Sequence, residues 1–312
     1  MNTEALILIN MGGPAGADQV PGYMRSIFRD PAILPVPGPI RGILASFITF
    51  RRTPAVIERY NKIGGGSPLR EHTERLVENL RRLDAESGRR RSILYAFRYT
   101  SPLIPDVINR LLREGHLRLR ILPLFPHYTR AMTGSIFREV DEFVPKSMMS
   151  TSSVRSWWHR RDVIELQRVY LREALAKTGP GARVLFVAHG IPLRNVQRGE
   201  DYPDQVAGSA ERIAACLPDR TEWSLAYQSR VGPVRWTGPD LKKEIDRLAE
   251  SPAPLVLMPI SFVADCLETL YDLDIVAAGR ARRAGVQIVN RVPVFNDDPR
   301  FARVLLAIAD EK

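Results

Sequence analysis

The segment VLFVAHGIP (184–192) is an apolar strand that ends in His189, after which Gly190 and Pro192 enforce a turn. A histidine at the end of a buried strand stands at the lip of a sheet, where a neutral imidazole can accept a proton or ligate a metal; a merely structural histidine fits the same pattern. A second segment, PISFVADCLETLYDLD (259–274), runs from a strand end into a helical pattern that carries Asp265, Glu268 and Asp272. Spacings of three and four residues predict all three carboxylates near one helix face, where like charges repel unless a cation, a proton or a hydrogen-bond network compensates. An acidic first turn that suits the helix dipole accounts for Asp265 as an N-cap but not for Asp272. A histidine and a carboxylate cluster at equivalent strand ends suit divalent-metal binding or proton transfer.

Two further segments bear on ligands. In RRTPAVIERYNKIGGGSPLREHTERL (51–76), Gly64, Gly65, Gly66 and Ser67 precede Pro68 and a long helical pattern. Backbone N–H groups converging at a helix N-terminus would bind an anion such as a carboxylate, with Arg51 and Arg52 adding forked contacts. The run is neither a Walker loop nor a G-x-G-x-x-G motif, and a flexible connection explains the glycines alone equally well. Upstream, residues 34–50 (LPVPGPIRGILASFITF) are unusually apolar, which reads either as a buried helix or as a greasy lip for a flat apolar ligand or a membrane surface. Met11, Trp236 and Phe262 are candidate apolar walls.

These residues need a scaffold, and short aliphatic runs alternating with helical patterns predict a parallel α/β sheet. Strands are expected at 6–10, 93–97, 119–123 and 148–152, and again at 183–188, 223–227, 255–259 and 286–290. Helices are expected at 70–86, 103–113, 163–176, 205–215, 239–250 and 266–278. Four strands in each half predict two similar Rossmann-like domains with a cleft between them. The halves are placed at 1–155 and 156–312, and the C-terminal helix is a candidate to pack back on the first. ILINMGGP (7–14) echoes LFVAHGIP (185–192), and ILPLFPHYTRAMTG (121–134) echoes VLMPISFVADCLET (256–269), aligning Pro123 with Pro259. Both echoes fall at strand ends, where open parallel sheets bind ligands.

Composition narrows the classes. The 312 residues are 45% hydrophobic and 26% charged, an ordinary globular balance. No run of about 18 uncharged apolar residues exists. Residues 1–10 run straight into a strand-like stretch with an acidic Glu4 and no basic n-region, so a signal peptide is not expected. Two cysteines, Cys216 and Cys266, cannot supply a four-thiolate iron–sulfur site. A cytoplasmic protein, peripheral to the membrane at most, is expected. The net charge of +10 is scattered over arginine pairs, which mostly reads as solvated helix faces. No nucleic-acid motif accompanies it, so nucleic acid is not expected as a partner, and the oligomeric state stays open.

The chain resembles the ferrochelatases along nearly its whole length. NMGGP (10–14), RRTP (51–54), YNKIGGGSPL (60–69), FRYTSP (97–102), AHGIP (188–192), YQSRVGPVRW (227–236) and ETLYDLD (268–274) correspond in order to that family's hallmark segments. The resemblance implies two Rossmann-like domains around a porphyrin cleft, and insertion of Fe²⁺ into protoporphyrin IX to give haem b and two protons, with coproporphyrin III as the other substrate. Porphyrin and Fe²⁺ are then the partners, with no permanently bound cofactor. The resemblance implies His189 and Glu268 as the catalytic, metal-facing pair, and Asp265 and Asp272 as a proton or metal relay. It implies Met11, Arg52, Tyr60, Ser67 and Trp236 as porphyrin-binding positions.

Departures accompany the resemblance. Ala264-Asp265-Cys266 stands where the family commonly has Ser-Asp-His, and AHGIP replaces Ala-His-Ser-Leu-Pro. No C-terminal cysteine extension is present, so the iron–sulfur cluster of some relatives is not expected. A chelatase for cobalt or nickel, a porphyrin carrier and a two-lobed solute-binding protein are the competing readings. A carrier needs neither His189 nor the Glu268–Asp272 pair, and a solute-binding protein needs export.

Overall fold

The computed structural model describes residues 4–228, 232 and 234–311, which form two compact units. The first comprises Met1–Ser156, Ala264–Leu267 and Asn296–Lys312; the second comprises Trp157–Val263 and Glu268–Phe295. Each contains a four-stranded, all-parallel sheet.

In the first unit the chain runs β1 (Glu4–Asn10), α1 (Val20–Arg29), α2 (Gly38–Asn61), α3 (Leu69–Glu86), β2 (Ser92–Phe97), α4 (Ile104–Arg113), β3 (Arg118–Pro123), α5 (Thr133–Phe143) and β4 (Ser150–Ser153). The strand order is β2-β1-β3-β4. Both faces of β1 are buried, which is why its sequence is a continuous apolar run without alternation. Ala5, Ile7 and Ile9 pack with Ile104, Ile108 and Leu111 of α4 and Ile136 of α5.

The second unit runs α6 (Arg161–Thr178), β5 (Arg183–His189), α7 (Leu193–Gln197), α8 (Tyr202–Ala214), β6 (Trp223–Gln228), α9 (Leu241–Ala249), β7 (Leu255–Pro259), a π-helix (Glu268–Ala277), α10 (Ala278–Arg283) and β8 (Val289–Arg291). Its order, β6-β5-β7-β8, repeats that of the first sheet. The internal echo is therefore structural: Pro123 pairs in register with Ile9, and Pro259 pairs with Val187. Leu185 and Val187 face α9, the π-helix and α10 through Ile245, Leu273, Ala277 and Ala281.

The C-terminal helix α11 (Pro299–Asp310), capped by the Asp298 carboxylate on Arg300 N, packs on α3 within the first unit. Residues 34–50 do not form one element. Helix α2 begins only at Gly38 and continues past Pro54 to Asn61.

Candidate functional site

His189 ends β5, the strand from which the order of the second sheet departs in opposite directions to β6 and β7. Ligands bind at such switch points, beyond the carboxyl ends of the strands. Three hydrogen bonds fix the backbone there: His189 N donates to Ser261 Oγ (3.0 Å), Tyr202 Oη donates to His189 O (2.8 Å), and Gly190 N donates to Gln228 O (2.8 Å). The following turn is pinned to residues 235–237, since Leu193 N donates to Arg235 O (2.8 Å) and Thr237 N donates to Ile191 O (2.9 Å). Trp236 is thereby bridged to Pro192. Ser229, Arg230, Val231 and Pro233 of the same segment lie outside the described residues.

The His189 ring meets Phe262 edge-on, with centroids 6.4 Å apart. Burial pushes the imidazole below the ordinary histidine value, and the charge of Glu268 pulls it partly back up. A neutral, proton-accepting ring next to a carboxylate is the resulting state near neutral pH.

Glu268 opens the π-helix. Such helices form i→i+5 bonds and are rare, usually a single turn, and frequent at functional sites; this one runs for ten residues. Thr269, Leu273 and Ala277 are buried at intervals of four, wider than the 3.6 of an α-helix. Glu268 and Asp272 share that interval one position earlier, so they form a row beside the buried stripe. The expectation that Asp265 joins them on one helix face is corrected. Asp265 precedes the helix and belongs to the first unit, where its N–H donates to Asn296 Oδ1 (2.7 Å) and its Oδ2 accepts from Asn296 Nδ2 (2.9 Å). Among the described residues no group of three or more His, Cys, Asp and Glu side chains is placed to hold a metal.

The glycine-rich loop is a dock rather than an open anion cradle. Gly65 N donates to Tyr60 O (2.9 Å), Gly64 N to Asn61 O (3.4 Å) and Ser67 N to Pro14 O (2.8 Å). A Cβ on Gly66 would lie 2.2 Å from Ala15 O, and one on Gly13 would lie 2.6 Å from the Ser67 side chain. The glycines let two backbones interlock, and most of the loop's donors are spent in doing so. Of the converging N–H groups read from the sequence, those of Gly64, Gly65 and Ser67 are already engaged by backbone carbonyls.

Tyr60 is 4% exposed and packs with Val20 and Met24, while Met11 is 7% exposed and joins the core beside β1. Arg52 is not at the glycine loop but midway along α2, half-buried, with its guanidinium carbon 5.9 Å from the centre of the Phe28 ring. Desolvation, and then the neighbouring Arg59 charge, lower its pKa. A half-buried cation beside another cation favours an anionic ligand.

The sequence reading missed Gln228, Asn296 and Asp30. Gln228 is the register partner of His189, so its side chain projects from the same face of the sheet. Asp30, between α1 and α2, is buried and accepts from Ala32 N (2.7 Å), Tyr99 Oη (2.9 Å), Arg98 Nη2 (3.1 Å) and Ser135 Oγ. Its signal was faint, an acid just after a basic helix end; Asn296 gave one more, an Asn-Asp-Asp-Pro run typical of a helix start.

The ferrochelatase family model matches residues 3–312. The chain belongs to the ferrochelatase family. It is 33% identical to the ferrochelatase of Synechococcus elongatus over 320 residues, spanning all of this chain and 83% of that protein. Identity to the ferrochelatase of Caulobacter vibrioides is 34% over 301 residues, spanning 95% and 86%. As a ferrochelatase it is an enzyme, a metal chelatase of haem biosynthesis. The solved structure of SirB from Bacillus subtilis with Fe³⁺ shares the fold at TM-score 0.61 and 12% identity, covering 99% of this chain and 96% of that one. Among the described residues no helix is long and apolar enough to cross a membrane.

Proposed function

We propose that the protein inserts Fe²⁺ into protoporphyrin IX, with coproporphyrin III as the alternative substrate, using His189 and Glu268 at the switch point of the second sheet. The observation that carries the assignment of residues is the pairing of an imidazole held neutral by burial with a carboxylate at the mouth of a π-helix. Insertion replaces two pyrrole N–H protons by one Fe²⁺, so two protons must leave. His189 accepts a pyrrole proton. Glu268 offers the incoming Fe²⁺ a hard oxygen ligand and, with Asp272 one turn on, gives protons a route away. Arg52 supplies charge for a porphyrin carboxylate, and Ser67, Trp236 and the buried Met11 and Tyr60 shape the porphyrin's surroundings. Fe²⁺ is a substrate in this scheme, and no resident cofactor or iron–sulfur cluster is included. Anaerobic incubation with Fe²⁺ and each porphyrin in turn, followed by haem absorbance, tests the substrate assignment.

Membrane contact is the second part of the proposal. Ile40, Ile43, Phe47 and Phe50 are 55, 76, 60 and 79% exposed, and steps of three and four place them on one face of α2. Such a face suits a monolayer surface that stores a flat, poorly soluble porphyrin. Arg51, exposed beside Phe50, is the cation for a headgroup. Arg41 is spent within the protein, donating to Leu34 O (3.1 Å) and Val36 O (2.7 Å).

A further inference from the structure

Within the first unit, two stretches distant in sequence meet at one residue pair. Asn296 grips Asp265 at both ends: its Oδ1 accepts from the Asp265 N–H at 2.7 Å and its Nδ2 donates to Asp265 Oδ2 at 2.9 Å. Asn296 adopts φ +48°, in the left-handed region that asparagine tolerates better than other residues with a Cβ. The next residue is anchored independently on α3, with Asp297 Oδ2 accepting from Arg75 Nε (3.0 Å) and Asp297 O from Asn79 Nδ2 (2.7 Å). The base of the grip is therefore fixed to a long helix.

The location gives the grip its meaning. The chain belongs to the first unit over Ala264–Leu267, to the second over Glu268–Phe295, and to the first again from Asn296. Asp265 and Asn296 sit at the two ends of that excursion, and Glu268 is its first residue. Neither hydrogen bond serves a strand or a helix ladder, and a residue at positive φ is held there only when its surroundings determine it.

We propose that Asn296 is a positioning residue for Glu268: by clamping Asp265 it fixes the point from which the π-helix departs, and so sets the placement of the metal-facing carboxylate. The inference rests on the assignment of Glu268 to the metal. It makes Asp265 an anchor, with its carboxylate held by an amide, rather than a member of a proton relay.

The test uses the whole protein and equilibrium Zn²⁺ binding by calorimetry, which does not depend on turnover. Asn296→Gly removes both bonds while relieving the backbone; Asn296→Ala removes them and keeps the strain. Both should weaken Zn²⁺ binding by about tenfold, the lower end of what loss of a ligand's supporting partner costs. Porphyrin binding, read by tryptophan fluorescence, should stay within twofold. Amide exchange at Asp265 should accelerate in both variants. In a Glu268→Gln background, Asn296→Gly should have no further effect on Zn²⁺ affinity. Faster exchange with unchanged Zn²⁺ affinity would overturn the inference, as would a loss of affinity that persists undiminished in the Glu268→Gln background. Zn²⁺ binding to the wild type that is indifferent to Glu268→Gln would instead strike the assignment of Glu268 itself, and the inference with it.

Discussion

Gln228 and His189 are paired in register at the carboxyl ends of neighbouring strands, and the Gln228 amide is buried, with neither Oε1 nor Nε2 hydrogen-bonded among the described residues. Leaving a buried polar group unmatched costs about 1–3 kcal/mol, so a position that keeps one next to His189 is bearing a cost in the free protein.

Replacement of Gln228 by methionine, similar in size and apolar, should therefore stabilise the fold by about 1 kcal/mol in urea unfolding while lowering metal insertion. Loss of stability on this exchange would show that the amide is satisfied, by water for instance, and that the cost does not exist.

Glu268→Gln keeps the shape of the side chain and removes its charge. It should raise the Fe²⁺ concentration needed for half-maximal rate, by about tenfold or more for loss of a charged ligand, with porphyrin affinity little changed. The measurement is the initial rate against anaerobic Fe²⁺ at saturating porphyrin. A change confined to porphyrin affinity would return Glu268 to a helix-end role.

Much of this was legible in sequence, and the exceptions share a physical cause. The inner strands are visible because strands of a parallel sheet are buried on both faces and read as short aliphatic blocks; each observed strand lies within a few residues of its expected place, including the edge strand β4, which is exposed throughout and carries only Ser and Thr. His189 was visible because an apolar block ends on it and Gly-Pro punctuation follows. The π-helix was not, since ETLYDLDIVA fits an α-helical period nearly as well, and the four-residue interval of the buried Thr269, Leu273 and Ala277 is visible only once the helix is packed. Nor could sequence say that the N–H groups of Gly64, Gly65 and Ser67 are consumed by Pro14 and the preceding turn, because those partners lie far off along the chain or depend on the loop's path. The Asp265–Asn296 grip spans thirty-one positions and follows no period.

Acid should destabilise the protein through His127. Burial pushes this imidazole down to about 3, whereas in the unfolded chain it titrates near 6.5. Below about pH 6.5 the unfolded chain takes up a proton that the folded one refuses. Stability is then fully present above that pH and is lost as pH falls toward 3. Urea unfolding at pH 7, 5.5 and 4 should show a fall that is shallower in His127→Asn. Equal slopes in the two proteins would contradict the burial of a neutral ring.

The exposed face of α2 should bring the protein down with anionic vesicles at low salt. Phe47→Ser should abolish most sedimentation, since an inserted aromatic contributes about 2 kcal/mol, and Arg51→Glu should weaken it more at low than at high salt. Arg41→Glu is expected to damage the start of α2 instead, because Arg41 holds the carbonyls of Leu34 and Val36. Wild-type protein that stays in the supernatant under all conditions would confine this face to a role in porphyrin handling.

The most direct test of the account is the anaerobic single-turnover rate of Fe²⁺ insertion in His189→Ala beside the wild type, with porphyrin binding measured on the same samples. Removal of a general base costs roughly 10²–10⁴-fold, so the rate should fall by at least two orders of magnitude while porphyrin is bound within a few-fold of normally. A His189→Ala protein that binds porphyrin and inserts iron at close to the wild-type rate would contradict it.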